Sequence, residues 1–155
     1  MKISEILNPR GIKIGLEAHS KDQALKALVD ILASAEKIDD SKSILKALIE
    51  RENLGSTGIG QGIAIPHGKT DKVNKLVAIL GVSQKGINFD ALDGEVVYVF
   101  FLLVAPKDTT GPHLKALAQI SRLLRDSYFC ELIRKCSTPE EIFNLIKSEE
   151  ERKHF

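Results

Sequence analysis

Apolar and polar positions alternate with two different periods along this chain. Residues 12–17, Ile-Lys-Ile-Gly-Leu-Glu, follow the period of a strand. Ser20 with Gln23 forms a capping-box pattern that opens a helix to about Ala35, its Leu25, Leu28 and Leu32 on one face. A second helix is expected from a Ser41 cap through Asn53, with Ile44, Leu45, Leu48 and Ile49 inward and Gly55 as its stop. Leu76–Val82 and Val96–Val104 read as strands, the second ended by Pro106. Pro112 suits the first position of a helix to about Asp126 that buries Leu117, Ile120 and Leu124. A short helix carrying Phe129, Leu132 and Ile133 follows. Thr138-Pro139-Glu140-Glu141 then combines a cap, an entering proline and an acidic first turn. Strands interleaved with helices on this scale predict one layered α/β domain over residues 1–155. The charged tail from about 149 to 155 is expected to be solvated.

Composition narrows the function classes. With 22 basic and 21 acidic residues the net charge is +1, so no broad field favours nucleic acid or anionic lipid. The amino terminus lacks the apolar core of a signal peptide. The longest apolar run, Val96 to Ala105, is too short to span a bilayer and suits a buried strand. Cys130 and Cys136 read as reduced thiols of a cytosolic protein. His19 and His154 carry no site signal.

Residues 55–69, "GSTGIGQGIAIPHGK", hold five of the eleven glycines and lead to His67 between Pro66 and Gly68. Proline fixes φ and glycine widens the choice of backbone, so the imidazole is framed at a strand end rather than inside a regular element. On the preceding helix Arg51 and Glu52 fall about 20° and 80° from Ile44, on the apolar face. Inward charge needs a partner. One reading has Arg51 facing an anion held by the loop, with Glu52 orienting it; the plain one is a helix-end ion pair. His113, directly after Pro112, belongs to the first turn of its helix, where orphan N–H groups and the macrodipole attract anions and disfavour an imidazolium. Taken singly, His67 also fits a solvated turn and His113 an exposed first turn. "GIGQG" follows a helix and lacks dinucleotide-loop spacing, and the Walker lysine motif, zinc-type His/Cys spacing and nucleophile elbow are missing.

"RENLGSTGIGQGIAIPHGK", "GINFDALDGEVVYVFFLLVAP" and "HLKALAQISRLLRD" together resemble the type-2 EIIA domain of the bacterial sugar phosphotransferase system, the fructose, mannitol and nitrogen-regulatory group. The resemblance covers nearly the whole chain. It implies a mixed sheet of about five strands flanked by helices on both sides. It also implies a cytoplasmic phosphoryl carrier whose His67 accepts, at Nε2, a phosphoryl group from an HPr-type phosphocarrier. Arg51 and His113 would stabilise that group, with Glu52, Ser56, Thr57, Gly58, Gly60, Gly62 and Gly68 in support. No cofactor or metal is expected. The next partner would be an EIIB domain or a regulatory target, the nitrogen-type reading being slightly favoured. A non-phosphorylated interaction module on the same fold is the alternative. Gln61 and Tyr98 depart from residues common in the family. Because two proteins must reach one ring, Leu54, Ile59 and Ile63 are candidates for part of an apolar rim, with core burial the favoured alternative for each.

Overall fold

The computed structural model describes residues 2–153; His154 lies outside them. The chain runs α1 (Ile3–Ile6), β1 (Leu7–Ile14), α2 (Lys21–Glu36), α3 (Ser41–Asn53), β2 (Gly58–Gly60), β3 (Ile63–Ala64), β4 (His67–Thr70), β5 (Val77–Ile87), β6 (Val97–Pro106), α4 (Gly111–Leu124), α5 (Ser127–Lys135) and α6 (Pro139–Lys153). One mixed six-stranded sheet results, in the order β1-β5-β6-β3-β2, with β4 also paired to β6. The sheet thus exceeds the expected five strands, because the segment after the glycines contributes two short pieces. Both lie parallel to β6 in one register, Ile63 opposite Val99 and His67 opposite Leu103.

The continuous apolar run explains itself once both faces of the sheet are covered. Along β6, Val99, Phe101 and Leu103 enter one core with α4, α5 and α6. Val97, Phe100, Leu102 and Val104 enter the other with α2 and α3. A strand buried on both faces has no polar side to display.

Several boundaries move for identifiable reasons. The first strand is Leu7–Ile14 rather than 12–17, since Gly15 leaves the strand at φ +86° and sends Leu16 into the opposite core. Asp40, not Ser41, caps α3, its carboxylate accepting from the Ser43 amide at 3.1 Å. The capping box of α2 forms in part: Ser20 Oγ accepts from Gln23 N, while Gln23 Oε1 takes the His19 amide instead of that of Ser20. Leu45, Ile49, Leu117 and Leu132 are half-buried rather than fully inward. Both cysteines are free, and burial pushes the Cys130 thiol up to about 12. Among the described residues no helix is long and apolar enough to cross a membrane.

The carboxyl end is the clearest departure. Ile142, Ile146 and Glu150 recur every four residues on the buried face of α6, so the helix carries its inward stripe into the expected solvated tail. Glu150 is 2% exposed and its carboxylate accepts from the amides of Ile3 (2.7 Å) and Ser4 (2.9 Å). The two ends of the chain are tied by a charge-assisted pair of hydrogen bonds. Glu150→Ala is expected to cost about 1–3 kcal/mol by stranding one buried and one part-buried donor. The check is a lower urea midpoint at unchanged slope, with amide protection of residues 3 and 4 lost; an unchanged midpoint would contradict the tie.

Candidate functional site

Three elements from different layers meet at β4. The last turn of α3 supplies Arg51, β4 opens with His67, and the first turn of α4 supplies His113. Gly68 permits the approach: a Cβ there would stand 3.2 Å from Leu48 Cδ2 of α3. Arginine and imidazole therefore sit on a shared, tightly packed base. The three residues singled out from the sequence are together in space.

The protonation of His67 follows from its neighbours. Arg51 Nε lies 3.3 Å from His67 Nε2, and a guanidinium only donates, so Nε2 must be an unprotonated acceptor. The proton is then on Nδ1, which donates to the Ile65 carbonyl at 2.8 Å. Burial is the main cause holding the His67 pKa below its ordinary value, and the Arg51 charge adds to it. The Ile65 hydrogen bond and the Glu52 charge act the other way. Arg51 Nη1 is anchored on the Gly55 carbonyl at 2.9 Å.

His113 is buried as the third residue of α4, with its ring centroid 5.7 Å from that of His67 and tilted by 53°. Its Nδ1 is buried without a hydrogen-bond partner among the described residues. Burial first, then the positive charge that would develop on His67 and that of Lys69, depress its pKa. Lys69 Nζ reaches the Oγ1 of Thr110, the residue before α4, at 3.4 Å.

Glu52 is buried as the helix geometry predicts, but it does not orient Arg51. Its carboxylate accepts from the amide and hydroxyl of Thr57 and pairs with Lys21 Nζ at 2.8 Å. At 100° per residue the two neighbouring side chains diverge, and each finds its own partner.

The glycine stretch is likewise not an open cradle of N–H groups. The Thr57 amide is held by Glu52, that of Gly58 by Ser56 Oγ, and that of Gln61 by Asp93 Oδ2. Ser56 Oγ in turn reaches the Phe89 carbonyl. Gly60 (φ +99°), Gln61 (φ +58°) and Gly62 (φ +80°) make the left-handed turn that reverses the chain between β2 and β3. Leu54 (84% exposed) and Ile59 (45%) stand in solvent as the rim reading requires, whereas Ile63 is core, being inward on β3. Leu92 and Leu114, unremarked in the sequence, are also exposed; the Leu92 amide bonds the Gly58 carbonyl and Leu114 follows His113.

Sequence reasoning missed the carbonyls of Ile65 and Gly55, the Thr110 hydroxyl and Lys21. Backbone acceptors leave no trace in residue types. Lys21 had one signal, a basic residue in the first turn of a helix, where the dipole is unfavourable to it. Among the described residues no group of three or more His, Cys, Asp or Glu side chains is placed to hold a metal ion.

Comparison with known proteins gives this site its context. Residues 5–149 match the sequence profile of the "Phosphoenolpyruvate-dependent sugar phosphotransferase system, EIIA 2" family. The chain is 36% identical over 148 residues to a nitrogen regulatory protein of Bradyrhizobium diazoefficiens, covering 94% of this chain and 95% of that one. It is 33% identical over 146 residues to the fructose-specific EIIABC component of Bacillus subtilis, covering 94% of this chain but 23% of that longer protein. The crystal structure of the nitrogen regulatory protein IIA-Ntr from Neisseria meningitidis superposes with a TM-score of 0.85 at 30% identity, over 93% of this chain and 98% of that one. A match along almost the whole chain, on the same layered fold, places this protein in the type-2 EIIA family of the phosphoenolpyruvate-dependent sugar phosphotransferase system.

Proposed function

We propose that the chain is a phosphoryl carrier whose His67 Nε2 takes the group from the phosphohistidine of an HPr-type protein. The observation that carries this reading is the state of the ring: neutral, with the proton fixed on Nδ1 and the Nε2 lone pair turned to the site. In the transfer, that lone pair forms the new N–P bond while the donor's N–P bond breaks, and the donor nitrogen keeps the electron pair. The proton stays on Nδ1, hydrogen-bonded to the Ile65 carbonyl, so no base is needed and the ring becomes cationic as the N–P bond forms. The cost falls on positioning and on charge at the phosphoryl oxygens.

Arg51 answers the charge. Once Nε2 is bonded to phosphorus it no longer accepts from Nε, so the guanidinium turns its donors to the phosphoryl oxygens while Gly55 holds its other end. The His113 ring and the opening of α4 face the same volume, and the unpartnered Nδ1 gives His113 hydrogen-bonding capacity to spend there. No cofactor or metal enters this scheme. The exposed Leu54 and Ile59 offer docking surface for a small, transient hand-over complex in the cytoplasm.

The onward partner divides the family. In Bacillus subtilis the matching segment belongs to a protein named as an EIIABC component, and this supports an EIIB domain as acceptor. The 36% identity to a nitrogen regulatory protein, over nearly the full length of both chains, supports a phosphorylation-dependent regulator and slightly favours it.

Incubation with enzyme I, HPr and labelled phosphoenolpyruvate tests the reading. Acid-labile, alkali-stable label should appear and be lost in His67→Ala; label retained in that variant would place the chemistry elsewhere, and none in the parent would leave an interaction module. Arg51→Ala should slow phosphorylation by about 100-fold or more while leaving the melting temperature nearly unchanged, as for loss of one charge-stabilising donor. A normal rate would reduce Arg51 to a helix-end contact. Because both imidazoles are held below their ordinary 6.5, the unfolded chain takes up protons first as pH falls. Their contribution to stability should be complete above about 6.5 and decline below it. NMR titration should give both midpoints under 6.5; either one above it would contradict the burial argument.

A further inference from the structure

Beneath the site lies a buried ionic cluster that phosphoryl transfer does not itself employ. Glu52 is 6% exposed and Thr57 4%. The Glu52 carboxylate collects the Thr57 hydroxyl, the Thr57 amide (3.2 Å) and Lys21 Nζ (2.8 Å). Lys21 comes from the other helix of that layer and also sits 4.9 Å from the centre of the Phe89 ring, over its face. A carboxylate taken this far from water is tolerable only with a full set of partners, and among the described residues Lys21 is the cation paired with it.

What the cluster holds matters more than what it contains. The Thr57 carbonyl accepts from the Ile65 amide at 3.0 Å, and the Ile65 carbonyl accepts the His67 Nδ1 proton. The Gly55 amide bonds the Glu52 carbonyl at 3.1 Å, and the Gly55 carbonyl anchors Arg51. Both supports of the reacting nitrogen, one fixing its tautomer and one fixing the guanidinium before it, therefore descend from the turn between residues 52 and 57. That turn is clamped by Glu52, and Glu52 by Lys21.

We infer that Lys21, through the buried Glu52–Thr57 pair, is a positioning residue that keeps His67 in the tautomer competent for phosphoryl transfer. The inference rests on the carrier reading for its consequence, though its effect on the ring exists without any phosphate. When Lys21 loses its charge, the carboxylate keeps two donors but no counter-charge. It then turns toward water or takes up a proton, and either response releases Thr57. The Ile65 carbonyl shifts, and the Nδ1–H form loses the acceptor that selects it.

The test compares Lys21→Met, which keeps the stem without the ammonium, with Lys21→Arg and with Thr57→Val, which removes only the hydroxyl. Lys26→Met, an exposed position on the same helix, is the control. Long-range nitrogen–proton NMR of unphosphorylated protein reads the His67 tautomer. In the parent and in Lys26→Met, Nδ1–H should dominate; in Lys21→Met and Thr57→Val, Nε2–H should grow. Turnover at saturating phospho-HPr should fall by about 10- to 100-fold, because the reacting nitrogen is no longer held in place. Lys21→Arg should restore most of both. An unaltered tautomer and turnover in Lys21→Met, with only a lower melting temperature, would overturn the inference. So would failed rescue by Lys21→Arg in a folded protein. If Lys21→Met does not fold, Thr57→Val decides alone by the same two readings. A parent that takes up no phosphate refutes the carrier reading, and the tautomer comparison still judges this one.

Discussion

A neutral imidazole with each nitrogen committed to a different partner is the constraint on which this molecule turns. One nitrogen keeps its proton and donates it in a hydrogen bond to a backbone carbonyl, and the other shows its lone pair to an arginine. In water the ring would exchange tautomers and collect a second proton near its ordinary value. Here burial suppresses the charge, and a carbonyl two residues back selects the tautomer. The fold is the apparatus that keeps this assignment in place.

That apparatus draws on both layers. The α3 side brings the arginine and the buried carboxylate, and the α4 side brings the second imidazole and a helix opening. The doubly covered central strand β6 lies between and carries β4 in its own register. Its apolar content is what fixes the separation of the two helix ends, since neither face can slide without exposing hydrophobic surface.

Most of this was legible in the residues, and the illegible parts have physical causes. Leu25, Leu28 and Leu32 gave α2 because three side chains on one 3.6-residue face have only one reading. His67 stood out through Pro66 and Gly68, and Arg51 and Glu52 through their angles to Ile44. The partner of Glu52 could not be seen, because Lys21 lies 31 positions earlier and only the packing of α2 on α3 brings it close. The burial of Glu150 was missed because a glutamate in a charged tail looks like surface until its place in the Ile142–Ile146 stripe is noticed. Ile63 and Ile59 are four apart on neighbouring short strands with opposite exposures, which strand parity decides only once pairing is known.

The strand pieces on either side of Pro66 share one alignment against β6, Ile63 with Val99 and His67 with Leu103, an offset that does not change across the interruption. His67 is therefore carried on the same pairing as Ile63, with no change of register between them. A phosphoryl group on Nε2 would leave the ring cationic while Nδ1 keeps its proton, so about two negative charges on the group would lower the formal net charge by about one, from +1 to about 0. Any protein that distinguishes the two forms would be sensing a local gain of negative potential beside His67, and ionic strength, more than temperature, would set how sharply it does so.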